Sequence, residues 1–185
     1  GAAALDLGAF TAFLYAFNQR EAIYNIKEAA SGQRFHSSYL RVGGVMNDIS
    51  DEVVELIRKF VREFPKAHAD LTRLLNRNRI FVDRTKGIGV LSREDAINTS
   101  CAGPVARASG VVRDLRKDEP YLAYPDLQGA FKVVCAKGGD CYSRYLVRMD
   151  EMIEAWKIIQ AAVENLPAGP ANIPLDDKVT IPDKA

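Results

Sequence analysis

The stretch from Ser31 to Val45, SGQRFHSSYLRVGGV, holds Arg34, His36 and Arg41 with no carboxylate among them. His36 is one of two histidines in the chain. Imidazole titrates near neutrality, so it can take up a proton when negative charge arrives nearby. A ligated metal, a bound anion or an electron-transfer centre in a neighbouring chain would each suit an unneutralised basic loop of this kind. A metal is the weakest of the three, because one His without a nearby Cys, Asp or second His is not a ligand set. A phosphate loop is weak as well: the glycines follow the basic residues, and neither Walker nor dinucleotide spacing is present. KGIGV and AKGGD fail the same comparison.

Asp6 is the second candidate. Phe10, Phe13 and Phe17 follow it at helical spacing, which sets its carboxylate among aromatics on one expected face. Buried without a partner, such a group costs several kcal/mol or binds a proton. The next cation is Arg20, roughly four turns along the same expected helix and out of reach. Its partner must come from another segment, unless Asp6 sits at a frayed, solvated helix start. Cys101, Cys135 and Cys141 contain no CxxC pair, so they read as reduced, mostly buried thiols. His68 reads as a surface or half-buried histidine on a helix.

These groups need elements to hold them. Ala2 to Phe17 is almost wholly apolar, too short for a bilayer span and expected as a buried helix. It continues through NQREAIYNIKEAAS until Gly32 stops it, and Gly43–Gly44 permits a tight turn. Ser50 caps a second helix with Asp51 and Glu52 in its first turn and Val53, Ile57, Phe60 and Phe64 on one face. Pro65 is expected to break or kink it. A short strand-like piece near Arg79, a Gly turn and a Ser92–Asp95 capping box follow. Cys101 to Gly139 reads as turns and short extended pieces. Asp140 opens the last helix, where Tyr142, Tyr145, Met149, Met152, Trp156, Ile159 and Val163 recur at core spacing. Pro167 and Gly169 end it. The expected organisation is a helical core over residues 1–166 and a Pro-rich extended tail over 167–185.

With 185 residues, 48% hydrophobic and 26% charged, the chain suits one mainly α domain, a helical bundle with short strands and loops. It opens without the basic n-region of a signal peptide or an initiator Met, so a processed form or fragment is expected. Arg58 to Lys86 holds nine Lys/Arg against three acids, which would suit phosphates. A net charge of +1 and ordinary core spacing in the same helix argue against nucleic acid.

Four blocks, DLGAFTAFLYAFNQRE, SGQRFHSSYLRVGGV, RASGVVRDLRKDEPYLAY and GDCYSRYLVRMDEM, resemble the D-type subunit of respiratory complex I, the NADH:quinone oxidoreductase, in the family's order. That family is related to the large subunit of nickel–iron hydrogenases, and the resemblance implies a central fragment of that fold. The tail resembles mitochondrial or related bacterial members. Ser143 stands where the family usually has Asp, and NTSCAGPVARASG and KVVCAKGGD depart locally from its pattern.

The resemblance implies NADH-to-ubiquinone electron transfer coupled to proton pumping. It places the chain in the peripheral arm, against a mitochondrial inner membrane on the matrix side or the cytoplasmic side of a bacterial inner membrane. Arg34, His36 and Arg41 would face the terminal 4Fe–4S cluster held by the adjacent small-hydrogenase-like subunit. Asp6, Phe10 and Phe17 would line the quinone cavity, with Asp6 and His36 carrying the proton chemistry. No cofactor is expected on this chain alone: ubiquinone is substrate, and NADH and FMN bind elsewhere in the complex. Expected partners are that cluster-bearing subunit, the remaining segments of the D-type subunit itself and the quinone-channel membrane subunit, with no nucleic acid. The alternative within the superfamily is the large subunit of an energy-converting membrane hydrogenase.

Overall fold

The structure, a computed structural model, describes residues 1–173. It is mainly α, as expected: α1 (Ala2–Asp6), α2 (Phe10–Ser31), a hairpin of β1 (Leu40–Arg41) and β2 (Gly44–Val45), then α3 (Asp51–Leu75) and α4 (Arg79–Asp83). The short helices α5 (Arg93–Asn98), α6 (Gly103–Ala108) and α7 (Leu115–Asp118) lead to α8 (Cys141–Glu164). Residues 174–185, most of the expected extended tail, lie outside the described residues.

Helix α3 is the centre of the assembly, packing against α2 on one side and α8 on the other. The core joins Ala4 and Ala12 to Leu71, Leu75, Phe81 and Met149. Small side chains on α1 and α2 let these helices approach closely, and Phe81 sets its ring edge-on to Tyr145 at 4.8 Å. The hydroxyls of Tyr142 and Tyr145 donate to the carbonyl and Oδ1 of Asn76 at 2.8 and 2.6 Å, stitching the end of α3 to α8. Burial pushes the Tyr145 phenol well above its ordinary pKa, so it stays a donor.

The expected caps form: Ser50 accepts from the Val53 amide, Ser92 from Asp95 and Asp140 from Ser143. Gly32 ends α2 in the left-handed region, at φ +72°. The apolar N-terminal stretch, however, is two helices rather than one. Gly8, at φ +89°, reverses the chain so that α1 folds back along α2. Nor is α2 covered on every side: Phe10, Leu14 and Tyr15 are 57%, 51% and 52% exposed, because only one flank of the helix meets α3. The strand-like piece near Arg79 is helix α4; Asn78 caps it, accepting from the Phe81 amide at 3.1 Å, and the Phe81 ring enters the core. Between Cys101 and Gly139, α6 and α7 replace part of the expected extended structure. The cysteines are less buried than expected, with Cys135 exposed.

Pro65 neither breaks α3 nor ends it; the helix runs through as 25 residues. Proline has no N–H to give to the carbonyl four residues back, that of Val61. The indole Nε1–H of Trp156, on α8, donates to this same carbonyl at 2.8 Å. His68 returns the tie three residues beyond Pro65, its Nε2 bonding the Met149 carbonyl of α8 at 3.0 Å. Because a carbonyl only accepts, this nitrogen carries the proton. Trp156→Phe should leave the Val61 carbonyl unpaired and cost about 1–3 kcal/mol. In a Pro65→Ala background the new amide takes over and the cost should shrink. Amide hydrogen exchange across the middle of α3 in the assembled protein checks both.

Candidate functional site

The basic loop is built on the C-terminal half of α2. The Gly32 amide bonds the Glu28 carbonyl at 2.7 Å and turns the chain back along the helix it has just left. Arg34 thereby lies over the face formed by Glu21, Asn25 and Glu28, at i, i+4 and i+7. Its Nη1 donates to Asn25 Oδ1 at 2.9 Å and Glu28 Oε2 at 2.8 Å, and its Nη2 to Glu21. The Glu28 hydrogen bond, with Glu21 beside it, holds the guanidinium still more firmly protonated. The loop is therefore not unneutralised, as the sequence suggested: two carboxylates from the preceding helix pair with Arg34. Lys27 adds a bond from its ammonium to the Phe35 carbonyl at 2.7 Å.

His36 is exposed, its ring meeting only the edge of Phe35 at 5.0 Å. Arg41, on β1, makes a weak contact with the Met46 sulfur at 3.5 Å. Among the described residues neither has a carboxylate partner. The hairpin pairs Leu40 with Val45 and Arg41 with Gly44 across a Val42–Gly43 turn. Gly43 and Gly44, at φ +86° and +152°, are both required there. A Cβ on Gly44 would also collide with the Ala171 carbonyl, which accepts from the Val45 amide at 2.8 Å. The start of the tail thus pins the turn.

Asp6 ends α1 and is exposed, with no hydrogen-bond or ion-pair partner among the described residues. The break at Gly8 removes it from the helix that carries Phe10, Phe13 and Phe17. Those three rings form a row along α2, with centroids 6.1 and 4.1 Å apart. Phe17 is half-buried and Phe10 exposed. No hydrogen bond joins Asp6 to His36, so the two expected proton carriers are not brought together. His68 lies half-buried against a cleft of about 60 Å³ between α2, α3 and α8. In the basic stretch, Arg58, Arg73 and Arg79 pair with Glu55, Asp70 and Asp83 at 2.7, 3.4 and 3.5 Å, which blunts a phosphate-binding face.

Residue patterning missed a polar scaffold under α6. Arg107, 7% exposed, donates from Nε to Glu151 at 2.5 Å and from Nη1 to the Arg113 carbonyl at 2.9 Å. The Arg116 side chain bonds Asp114 at 3.0 and 2.6 Å, which holds that carboxyl below its usual range. Burial pushes Glu154 up, but bonds from Lys157 and the Lys132 amide outweigh it and leave the group depressed. Asp140 behaves likewise: burial raises it, and the Gly87 amide with Ser143 brings it down. Ser143 thus supplies donors to this cap, where a second carboxylate would repel it. The available signal was Glu151 and Glu154 interrupting the apolar face of α8.

Residues 6–185 match the family described as the respiratory-chain NADH dehydrogenase 49 kDa subunit. The chain belongs to this family. It is 47% identical over 173 residues to a D-type NADH-quinone oxidoreductase subunit of Rhizobium meliloti (strain 1021), covering 94% of this chain and 42% of that protein. The D-type subunit of Rickettsia bellii (strain OSU 85-389) is 45% identical over all 185 residues, 46% of its length. That of Ehrlichia chaffeensis is 45% identical over 181 residues, 98% of this chain and 45% of its own length. The chain spans less than half the length of these relatives. Among the described residues no helix is long and apolar enough to cross a membrane.

Depressed carboxyls set the acid limit. The stabilisation from Asp114, Glu154 and Asp140 should be complete above about pH 4, the unfolded carboxylate range. It should be lost as pH falls through their lower folded values. Asp114→Asn should lower stability near neutrality and flatten the dependence below pH ~4; denaturant unfolding at several pH values, read by the single Trp156, measures this.

Proposed function

We propose that this chain forms part of the quinone-reducing module of a respiratory NADH–quinone oxidoreductase, between the terminal iron–sulfur cluster and the quinone cavity. The observation that carries the reading is the family match, which runs through the whole basic loop and begins at Asp6. Among the described residues no group of three or more His, Cys, Asp or Glu side chains could hold a metal. An exposed imidazole on a loop clamped to α2, followed by an Arg41 with no carboxylate partner among the described residues, fits a cluster ligated by an adjacent subunit. Such a cluster would supply electrons one at a time.

His36 takes up a proton as negative charge arrives opposite it, since a nearby anion favours imidazolium. Arg41 stabilises the same charge without titrating. Arg34, neutralised by Glu21 and Glu28, holds the loop. Phe10 and Phe17 provide apolar wall for a quinone, which is ubiquinone on this reading. Asp6, without a partner among the described residues, accepts one from another segment of the same subunit at the cavity.

The partners are the cluster-bearing subunit, the rest of the 49 kDa-type subunit and the quinone-channel membrane subunit, with NADH and FMN bound elsewhere in the assembly. The complex sits with this chain in its peripheral arm, against a bacterial or mitochondrial inner membrane, and couples quinone reduction to proton translocation. The names of the relatives, all NADH-quinone oxidoreductase subunits, favour this reading over a membrane hydrogenase.

Asp6→Asn in the assembled complex should slow quinone reduction and spare NADH oxidation by an artificial acceptor, whose electrons leave before the cavity. Equal loss of both activities would make Asp6 structural. His36→Met should render the terminal cluster's potential nearly independent of pH. For one coupled proton per electron the unsubstituted slope is about 59 mV per pH unit. At acidic pH the variant's potential should lie lower, because the imidazolium is gone. Redox titration followed by electron paramagnetic resonance decides the matter, and an unchanged slope would remove His36 from the coupling.

A further inference from the structure

Arg20 lies next to Glu21 on α2, but Glu21 and Glu28 pair with Arg34 instead. Among the described residues no carboxylate pairs with Arg20. Its guanidinium carbon instead lies 5.2 Å from the Phe17 ring centroid, 5.0 Å from Tyr24 and 5.5 Å from Phe35. Phe17 and Tyr24 belong to α2, whereas Phe35 belongs to the loop, so the cation bridges the two elements. The rings of Tyr24 and Phe35 approach each other at 5.6 Å, and Phe35 meets His36 edge-on at 5.0 Å. On the other side Phe17 continues into Phe13 and Phe10. Two runs of ring contacts, Phe10–Phe13–Phe17 on the proposed quinone wall and Tyr24–Phe35–His36 at the loop, are therefore joined through the Arg20 guanidinium, which touches a ring of each.

We propose that Arg20 is a positioning residue for His36, holding the imidazole in place through Phe35 and joining it to the aromatic row of the quinone wall. This rests on the assignment of His36 to the cluster-facing surface. Phe35 is 57% exposed, so core packing does not orient its ring. A flat guanidinium, attracted to the negative faces of several rings at once, does. The Lys27 bond to the Phe35 carbonyl and the Arg34 clamp fix the backbone of the loop but not this ring. Tyr24 completes the cradle, with Lys27 and Arg34 also 5.8 and 5.7 Å from its ring. The charged side chains that α2 brings to the loop's clamp and aromatic cradle are Arg20, Glu21, Lys27 and Glu28, and the cations of the loop and hairpin themselves are Arg34 and Arg41. Of these, Arg20 acts through an aromatic neighbour of the imidazole.

The test uses the intact complex and two charge-conserving variants, Arg20→Lys and Phe35→Leu, beside His36→Met. Lysine keeps the charge but cannot spread a plane across three rings. Leucine removes the ring that Arg20 holds. In both variants His36 spends less time in its facing position, and the apparent coupling falls with that fraction. The pH slope of the terminal cluster's potential should fall about twofold or more, while the potential at alkaline pH, where imidazole is neutral, stays unchanged. The double variant should be no worse than either single one, since both break the same link.

A full slope in Arg20→Lys and Phe35→Leu, with a flat one in His36→Met, would overturn the positioning role alone. A displacement of the potential by the same amount at every pH would overturn it too, as a general loss of structure. An undiminished slope in His36→Met would overturn the proposal together with the reading beneath it. If one variant fails to assemble, the other still decides.

Discussion

The Val61 carbonyl is where the architecture is most exposed to failure. Pro65 removes the amide that should bond it, in the helix that α2 and α8 both pack against. A break there would let the two halves of α3 diverge and separate the Leu71–Leu75 end of the core from the Phe60–Phe64 end. Trp156 prevents this by supplying a donor from α8. One hydrogen bond thus repairs the helix and fixes where α8 lies along it. His68 bonds a carbonyl in the opposite direction, so α3 and α8 are tied by ring nitrogens at two heights. Replacing a missing helical bond by a tertiary one converts a local weakness into a register mark between helices.

With α3 and α8 in place, apolar packing holds α1, α2 and α4, while charge fixes the basic loop and α6. The loop of Arg34 and His36 is clamped to α2 by two carboxylates, and Glu151 and Glu154 anchor α6 and the segment before α8. The two cases differ in burial. Arg34 and its partners are solvated, so their value is geometric: three acceptors at helical spacing choose one path for the loop. Arg107 is buried and Glu151 half-buried, so Arg107 must stay matched, because alone it would be a buried unpaired charge.

The functional consequence is a division of labour among cations close in sequence. Arg34 is consumed in positioning. Among the described residues Arg41 has no carboxylate partner, on a hairpin whose turn is pinned by Asn172 and its neighbours. Among the described residues Arg20 meets the π faces of Phe17, Tyr24 and Phe35 and no carboxylate, so its charge is not cancelled there. A loop that reads as uniformly basic holds a neutralised arginine, Arg34, before His36 and, among the described residues, one without a carboxylate, Arg41, after it.

Periodicity and caps alone determined much of this. Gly32, Ser50, Ser92 and Asp140 act locally, through backbone groups within a few residues, so their roles were legible as letters in order. The apolar faces of α3 and α8 were legible for the same reason, since one helical period relates their residues. The four family blocks carried the expected neighbours of His36 and Asp6 without any coordinates. What tertiary structure decided is every match made across distance. The rescue of Pro65 by Trp156 spans about half the chain, and no local rule connects them. Glu21 and Glu28 reach Arg34 only because Gly32 reverses the chain over the helix. The Arg107–Glu151 pair joins helices that no period relates. A sequence lists donors and acceptors; which of them meet depends on the direction the chain takes after each turn, and that is set by packing.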